Sequence, residues 1–498
     1  MTPNLVWLKR DLRLQDHAPL FEAACADLPV IVLYILEPER WQQPDVDPIH
    51  IEWELDTLRS LKGEFEALGG VLLVRQGDAV QVLDDLRAAF GFTRMFSHEE
   101  TGTMWSWDRD KRVASWARSS GVKWSEYPSN GVIRSLPDRD NWKALRDRRI
   151  QAESIPTPTR LAAPYNACSD KIPTMHELGL HARGLIGRPL PGRQAACDTL
   201  ESFLEERGRP YRWAMSGPEE ATRHCSRLSP YLSVGVLSIR EVDHAVGLRM
   251  RTLRRNPEHA DDAAEWLKSL SSFRSRLAWH CHFIQKLESE TTIDTIAQNP
   301  VLDNQLDRTW DQDRFDAWKE GRTGLPFLDA CMRQLTATGW INFRMRAMLQ
   351  SVASYALWLP WRETGLHLAR LFLDYEPGIH WSQVGMQSGT TGINTVRAYS
   401  VLKQSKDHDP EGTYIRRWVR ELANVPTAYI HEPWNMPLME QQMAGCIVGI
   451  DYPEPIVNEG EARKAAVAKV YAARRTPAVR RKSSDVVRKH GSRKRRRG

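Results

Sequence analysis

The sequence predicts two folded parts, an α/β N-terminal domain on a doubly wound parallel sheet and an all-α C-terminal domain. Three observations predict this. Residues 1–130 alternate short apolar runs with helical patterns, residues 153–180 are rich in Pro and polar residues without any period, and residues 193–445 carry the helical period alone. A chain of 498 residues also exceeds one ordinary core, so division into domains is expected on length.

Taken in order, five runs read as strands: NLVWLK from Asn4, PVIVLYIL from Pro29, GVLLVRQ from Gly70, TRMFSHE from Thr93 and VKWSEY from Val122. Between the second and third, IEWELDTLRSLKGEFEAL from Ile51 has the 3.6-residue spacing of an amphipathic helix. Strands separated by helices pair in parallel, with helices on both faces. The expected boundaries are an α/β domain at 1–130, a linker at 131–192, a helical domain at 193–445 and a C-terminal extension at 446–498. Helical patterns begin at Gln194, Ala263, Gly324, Phe343 and Thr364. The stretch DYEPGIHWSQVGMQSGTTG, residues 374–392, reads as a loop between two helices.

Charge is unevenly spread. Residues 474–498 hold 12 Lys or Arg against one Asp, a net +11, so the +6 of the whole chain leaves −5 for residues 1–473. The tail has no apolar period and is expected to be disordered, serving as a salt-sensitive anchor for phosphate backbones or merely as a solubilising segment. Seven cysteines show no C-x-x-C pair, which supports neither a disulfide framework nor a compact zinc site. No long uncharged apolar run and no signal-peptide pattern appear, so the expectation is a soluble, intracellular protein without a membrane.

The nucleotide signatures G-x-G-x-x-G and G-x-x-x-x-G-K-[ST] are both missing. The charge run WLKRDLRLQDH, Trp7 to His17, reads as a solvated face. In RHCSRLSPYLSVG, Ser226 and Ser229 flank Arg227 just before a helix, an arrangement that suits a pyrophosphate but is also an ordinary capping pattern. Arg344 and Arg346 fall in an apolar helix and need a carboxylate or an anionic ligand; Asp374 and Glu376 offer the carboxylates.

Six stretches, VWLKRDLRLQD, CSRLSPYLSVG, WKEGRTGLPFLDACMRQLTATGWI, FRMRAML, LFLDYEPG and DPEGTYIRRWVREL, occur in the order and spacing of the DNA photolyase and cryptochrome flavoproteins. The chain resembles a divergent, prokaryotic-type member over about residues 4–440. The resemblance implies an N-terminal domain that holds an antenna chromophore of folate or deazaflavin type, and a helical FAD-binding domain with FAD folded into a U. It places Tyr211, Cys225, Ser226, Leu228 and Ser229 around the flavin phosphates, with Cys225 where relatives often have Thr. Arg346 and Asp374 match the ion pair beside the isoalloxazine, and Glu376 matches an acid near the ribityl chain. Phe273 and His280 match positions that are usually Trp and Arg against the flavin.

Departures are equally specific. The Glu that donates to a cyclobutane dimer is Arg276 here, three residues before the lesion-contacting Trp279. Arginine still donates hydrogen bonds and stabilises a radical anion. The paired histidines of (6-4) photolyases would fall at Asn342 and Phe343, which disfavours that activity. The Asn that faces flavin N5 is His380, read as a proton donor titrating in the physiological range or as a space-filling side chain. The inner Trp of the electron-transfer triad is Val384, and a second lesion-facing aromatic is Met386. Trp310 and Trp361 match the outer two members, and Trp381 offers another route from the flavin to Trp361.

Metal is not expected. His280 and His282 lie about 200° apart on a helix and cannot share an ion. An iron-sulfur cluster needs four cysteines, and of Cys225, Cys281, Cys331 and Cys446 the first lies in the phosphate motif. Glu99 and Glu100 stand where an antenna pterin is held, in a stretch that also reads as a strand end and helix cap. The resemblance thus implies a deoxyribodipyrimidine photolyase, a carbon–carbon lyase acting on UV-damaged DNA. In it blue light excites FADH⁻, an electron passes to a flipped cyclobutane dimer, the ring splits and the electron returns. The competing reading is a cryptochrome-type blue-light photoreceptor without repair. A monomer is expected, cytoplasmic or nucleoid-associated in a prokaryote and nuclear only in a eukaryote.

Overall fold

The computed structural model describes residues 2–25, 28–255 and 260–491. All five expected strands form: β1 (Asn4–Leu8), β2 (Val30–Leu36), β3 (Val71–Gln76), β4 (Arg94–His98) and β5 (Lys123–Tyr127). They pair in parallel in the order β3-β2-β1-β4-β5, with Leu5 beside Ile31 and Met95. β1 and β2 are buried on both faces, which is why their sequences are unbroken apolar runs.

Alternate residues feed two separate cores. Val6, Val32, Leu72 and Phe96 face the helix α2 (Pro48–Ala67), whereas Leu5, Trp7, Ile31 and Leu73 face α3 (Ala79–Phe90) and α4 (Met104–Ser119). The short α1 (Ala18–Ala24) follows the first strand and its charged loop. The core on the α2 side continues into the helical half through Leu228, Tyr231, Leu270 and Phe273. Trp53 of α2 closes this seam, donating from Nε1 to Pro230 O at 2.9 Å.

The charge run after β1 is a correction. Lys9, Asp11, Arg13, Asp16 and His17 are all buried. The run leaves the C-terminal end of β1, where a parallel sheet meets its partner domain, and its charges are satisfied there instead of by water. Arg13 donates to Gly235 O at 3.0 Å, Leu12 N–H to Val234 O at 2.9 Å, and Arg240 pairs with Asp16 at 2.7 Å. Gly235 has φ +74, and a Cβ there would collide with the Arg10 carbonyl. Asp11 Oδ2 accepts from His17 Nε2 at 2.9 Å and from His98 Nδ1 at 2.6 Å, tying the loop to β4.

The linker region contains a helix, α5 (Trp142–Gln151), before a long irregular segment that runs back along the sheet domain. The helical half includes α6 (Ala260–Ser289), α7 (Pro326–Thr338), α8 (Phe343–Tyr355) and α9 (Trp361–Leu371). A core of Phe327, Met332, Leu335, Met345 and Val352 holds α7 and α8 together.

Most of 374–392 is helical rather than loop: α10 spans Pro377–Ser388. Glu376 caps it, Pro377 opens it and Gly389, with φ +74, ends it. The helix is buried nearly all round, so its sequence shows no amphipathic period. It lies so close to α6 that a Cβ on Gly378 would sit 2.6 Å from Ile284 Cα.

The expected disorder from 474 is also corrected. After α11 (Glu459–Arg474), the chain forms α12 (Pro477–His490). Val479, Val486 and His490 recur on one buried face, and Asn299 donates from Nδ2 to Ser483 Oγ at 3.0 Å. This narrow stripe suffices to dock the helix while its cations stay in water. Residues 492–498 of the expected tail lie outside the described residues. Among the described residues no helix is long and apolar enough to cross a membrane.

Candidate functional site: a cavity in the helical half

A cavity of about 2030 Å³ opens between α6, α8, α10 and the segment 225–229. Tyr211, Cys225, Ser226, Ser229, Phe273, His280, Arg346, Asp374, Glu376 and His380 line it, as do Arg276, Trp279 and Met386. Leu228 does not; it is buried in the core behind the wall and precedes the short helix Ser229–Ser233.

Arg346 and Asp374 form a two-pronged pair, with Nη1 to Oδ1 at 2.9 Å and Nη2 to Oδ2 at 2.8 Å. Arg346 Nε donates to Ile341 O at 2.7 Å, which fixes the fork. Burial alone would raise the Asp374 carboxyl; the Arg346 guanidinium outweighs it and holds the group below the usual carboxylate range. Glu376 pairs instead with Arg10 at 3.0 Å, and Arg344 reaches Ser216 Oγ at 3.3 Å. The two acids therefore serve different arginines.

On the opposite wall, Arg207 donates to the carbonyls of Cys225 and Ser226, turning this segment outward. Arg227 sits at φ +60 with its guanidinium 4.0 Å from the Trp340 ring centroid, and makes no ion pair among the described residues. A half-buried cation on a cavity wall, with Asp374 as its nearest countercharge and no direct ion pair, suits an anionic group. Burial pushes the Cys225 thiol up to about 12, so it stands there as a neutral group.

Several buried polar atoms on the wall have no protein partner among the described residues, including His280 Nδ1, Asn342 Oδ1, Gln350 Oε1, Gln383 Nε2 and Gln387 Oε1. Such a mixture of donors and acceptors, with an arginine cluster at one end, fits a dinucleotide carrying a polar heteroaromatic ring such as FAD.

His380 corrects one expectation. Its Nε2 donates to Gly365 O at 2.8 Å, and burial pushes its pKa down to about 4. It is neutral at physiological pH and presents Nδ1 as an acceptor, not a titrating donor. His280 is likewise driven down to about 4 by burial, with Arg10 and Arg146 adding to the effect.

At the mouth, Trp279 and Phe343 are both exposed, and the Arg276 guanidinium lies 4.1 Å and 6.0 Å from their ring centroids. Trp213, which does not line the cavity, is also exposed, with the Arg212 guanidinium 5.3 Å from its ring centroid. Spacing puts Phe343 at a site position, but that it shares the Arg276 guanidinium with Trp279 becomes visible only on folding.

Trp361 and Trp381 do not line the cavity. They touch each other edge to face at 6.0 Å, and Trp381 touches His380 at 5.0 Å. Trp310 is exposed and its ring neighbour is Phe315 at 4.7 Å.

Glu99 and Glu100 line a separate cavity of about 70 Å³ between the domains, space for about two waters. Glu100 is bound to Arg109 at 2.5 Å, in a cluster with Glu37 and Asp110. Glu100 is thus engaged by Arg109, in keeping with the strand-end reading of this stretch, and the free space beside the pair is small.

A parallel-sheet domain latched to a helical domain with a cavity of this make-up defines a flavoprotein. The helical half matches the family model described as the FAD binding domain of DNA photolyase over residues 273–472, and the sheet domain matches that described as DNA photolyase over residues 4–136. A cryptochrome DASH of Natronomonas pharaonis is 27% identical over 488 residues, covering 92% of this chain and 98% of its own. A deoxyribodipyrimidine photo-lyase of Vibrio cholerae is 27% identical over 491 residues, covering 93% and 98%. The crystal structure of a bacterial class III photolyase from Agrobacterium tumefaciens superposes with a TM-score of 0.80 at 26% identity, over 96% of this chain and 98% of that one. The chain belongs to the DNA photolyase and cryptochrome family.

Proposed function

We propose that this flavoprotein is a light-dependent deoxyribodipyrimidine photolyase, splitting cyclobutane pyrimidine dimers in UV-damaged DNA. The observation that carries the reading is the mouth of the cavity: Trp279 exposed, with Arg276 stacked on it. The volume of about 2030 Å³ is about twice the upper end of the roughly 300–1,000 Å³ typical of a pocket for one small ligand. That leaves room for a flipped pyrimidine dimer of one strand beside the cofactor. FAD, when bound, supplies light absorption and one-electron transfer. Arg346 and Asp374 orient its ring end, Arg227 and the 225–229 segment take its phosphates, and Trp279 and Met386 pack the lesion. Arg276 supplies the hydrogen bonds that a Glu would otherwise give to the dimer carbonyl.

A photoreceptor of cryptochrome type is the second reading. It is favoured by His490 and Gly491, which bring the C-terminal helix to the wall of the same cavity. The deciding experiment illuminates the reduced, purified protein with dimer-containing single- and double-stranded oligonucleotides. Loss of dimers is expected; persistence in both the single- and the double-stranded substrate leaves the photoreceptor.

A further inference from the structure

We propose that Tyr375 is the inner one-electron donor of this protein, giving its electron to a photo-oxidant of the flavin class in the cavity and its phenolic proton to Asp45. Val384 leaves no aromatic ring where the inner member of the tryptophan chain is expected, and Trp381 stands behind the cavity wall. Tyr375 lines the cavity itself. Its hydroxyl accepts from Trp381 Nε1 at 3.0 Å and donates to Asp45 Oδ2 at 2.6 Å. It therefore stands at the gap, between the cavity and the Trp381–Trp361 pair.

A phenol, unlike an indole, becomes strongly acidic on losing an electron, so its oxidation at neutral pH requires a base already in contact. Asp45 meets that need. It is buried, and 2.6 Å falls in the range of about 2.5–2.7 Å typical of a hydroxyl bonded to an ionised carboxylate. The phenol donates to neither neighbouring imidazole. His50, stacked on the tyrosine ring at 5.8 Å, has Nε2 on Phe372 O at 2.9 Å and accepts from Asp47 N–H at 3.2 Å. His380, at 5.3 Å, has Nε2 on Gly365 O. The step balances: one electron leaves Tyr375 for the oxidant, the phenolic O–H bond breaks, and an O–H bond forms at Asp45 Oδ2. A neutral phenoxyl radical and a neutral carboxylic acid remain, with the Trp381 N–H still bonded to the phenoxyl oxygen.

The inference rests on the flavin reading of the cavity, and the test separates the two. FAD-loaded, full-length protein is illuminated with blue light and frozen for electron paramagnetic resonance. A tyrosyl radical is expected, narrowed by ring-deuterated tyrosine and lost in Tyr375→Phe. It should be lost also in Asp45→Asn, which keeps the ring and its packing but removes the base. Trp381→Phe should retain the radical with a raised g anisotropy, because the hydrogen bond to the phenoxyl oxygen is gone. An indole radical alone in the parent protein, a tyrosyl signal surviving in both Tyr375→Phe and Asp45→Asn, or its disappearance in Trp381→Phe would each overturn the inference. Protein that retains no flavin absorbance overturns the cavity reading beneath it.

Discussion

Arg346 and Asp374 meet fork to fork across 28 residues of chain, with one carboxylate oxygen on each terminal guanidinium nitrogen. The pair is asymmetric in its exposure: the Asp374 side chain is 3% accessible and that of Arg346 is 24%, its open side facing the cavity. Asp374→Ala should therefore cost about 3 kcal/mol of stability, the penalty for leaving a partly buried cation alone. Asp374→Asn should purify with less FAD. Because the folded carboxyl titrates below its unfolded value of about 3.9, its contribution is complete above that pH and is lost as pH falls through the folded value. Denaturant midpoints and flavin-to-protein absorbance ratios at pH 7 check both.

Five buried or half-buried histidines give the fold a steeper acid limit. His280 and His380 are pushed down to about 4, and His98, His282 and His367 to about 3, in each case first by burial. Each folded value lies below the unfolded value near 6.5, so their contribution is present above about pH 6.5 and declines as pH falls toward 4. Each neutral histidine then adds up to about 1.4 kcal/mol per pH unit to the decline. His380→Gln should flatten the curve between pH 6 and 5 by that amount at most. It should leave flavin photoreduction flat between pH 6 and 8, since His380 is already neutral there. Urea titrations at successive pH values measure the slope.

These two predictions also mark what the sequence makes legible. Strands β1 and β2 are readable because burial on both faces leaves uninterrupted apolar runs, and β3 because its first four residues do the same, whereas the edge strand β5, KWSEY, is legible only from its place in the alternation. Arg346 and Asp374 are readable because an arginine in an apolar helix demands an acid. Helix α10 is not, since burial all round erases the period and its Gly, His and Trp are indifferent helix formers. The buried run Lys9 to His17 looks like a solvated face because its partners, such as Gly235, lie more than 200 residues away. Tyr375 is hidden for the same reason, with Asp45 330 residues distant on the other domain.

Helix α12 should contribute to DNA affinity through charge rather than by reading bases. Arg480 and Arg481 are exposed, while Val479 and Val486 hold the helix down. Deleting the whole segment would uncover that apolar stripe and confuse two effects. Neutralising Arg480, Arg481 and Lys482 together to Gln leaves docking intact. The slope of log K against log salt should then become shallower by about 0.9 for each phosphate that the helix no longer neutralises. Fluorescence anisotropy with undamaged duplex at several salt concentrations reads this, and an unchanged slope removes the helix from the binding surface.

On the photolyase reading proposed above, Arg276 is the residue that most directly tests repair. Its guanidinium is held by Trp279 at 4.1 Å and Phe343 at 6.0 Å, and Met215 Sδ is 3.8 Å from Nη2; no carboxylate pairs with it among the described residues. Its charge is thus left to act at the mouth, while Tyr211 and Met215 take up part of its hydrogen-bonding capacity. A dimer that accepts an electron at that place becomes an anion, and a fixed cation stabilises that state more than the neutral dimer. Arg276→Ala should lower the quantum yield of dimer splitting, while FAD content stays the same because Arg346 and Arg227 are untouched. Removing one such donor from a preorganised site typically costs about 3 kcal/mol, or roughly a hundredfold in the rate of the step it serves. Arg276→Lys keeps the charge but loses the flat stacking surface, so it should recover part of the rate. Arg276→Glu is the sharper test: it restores an acid at the place where dimer photolyases carry one, but puts it against ring faces that favour a cation. Splitting by Arg276→Glu should therefore stay below that of the parent at pH 7. Activity equal to or above the parent would mean that the arginine is incidental to the lesion, and that the mouth works through its aromatic rings alone.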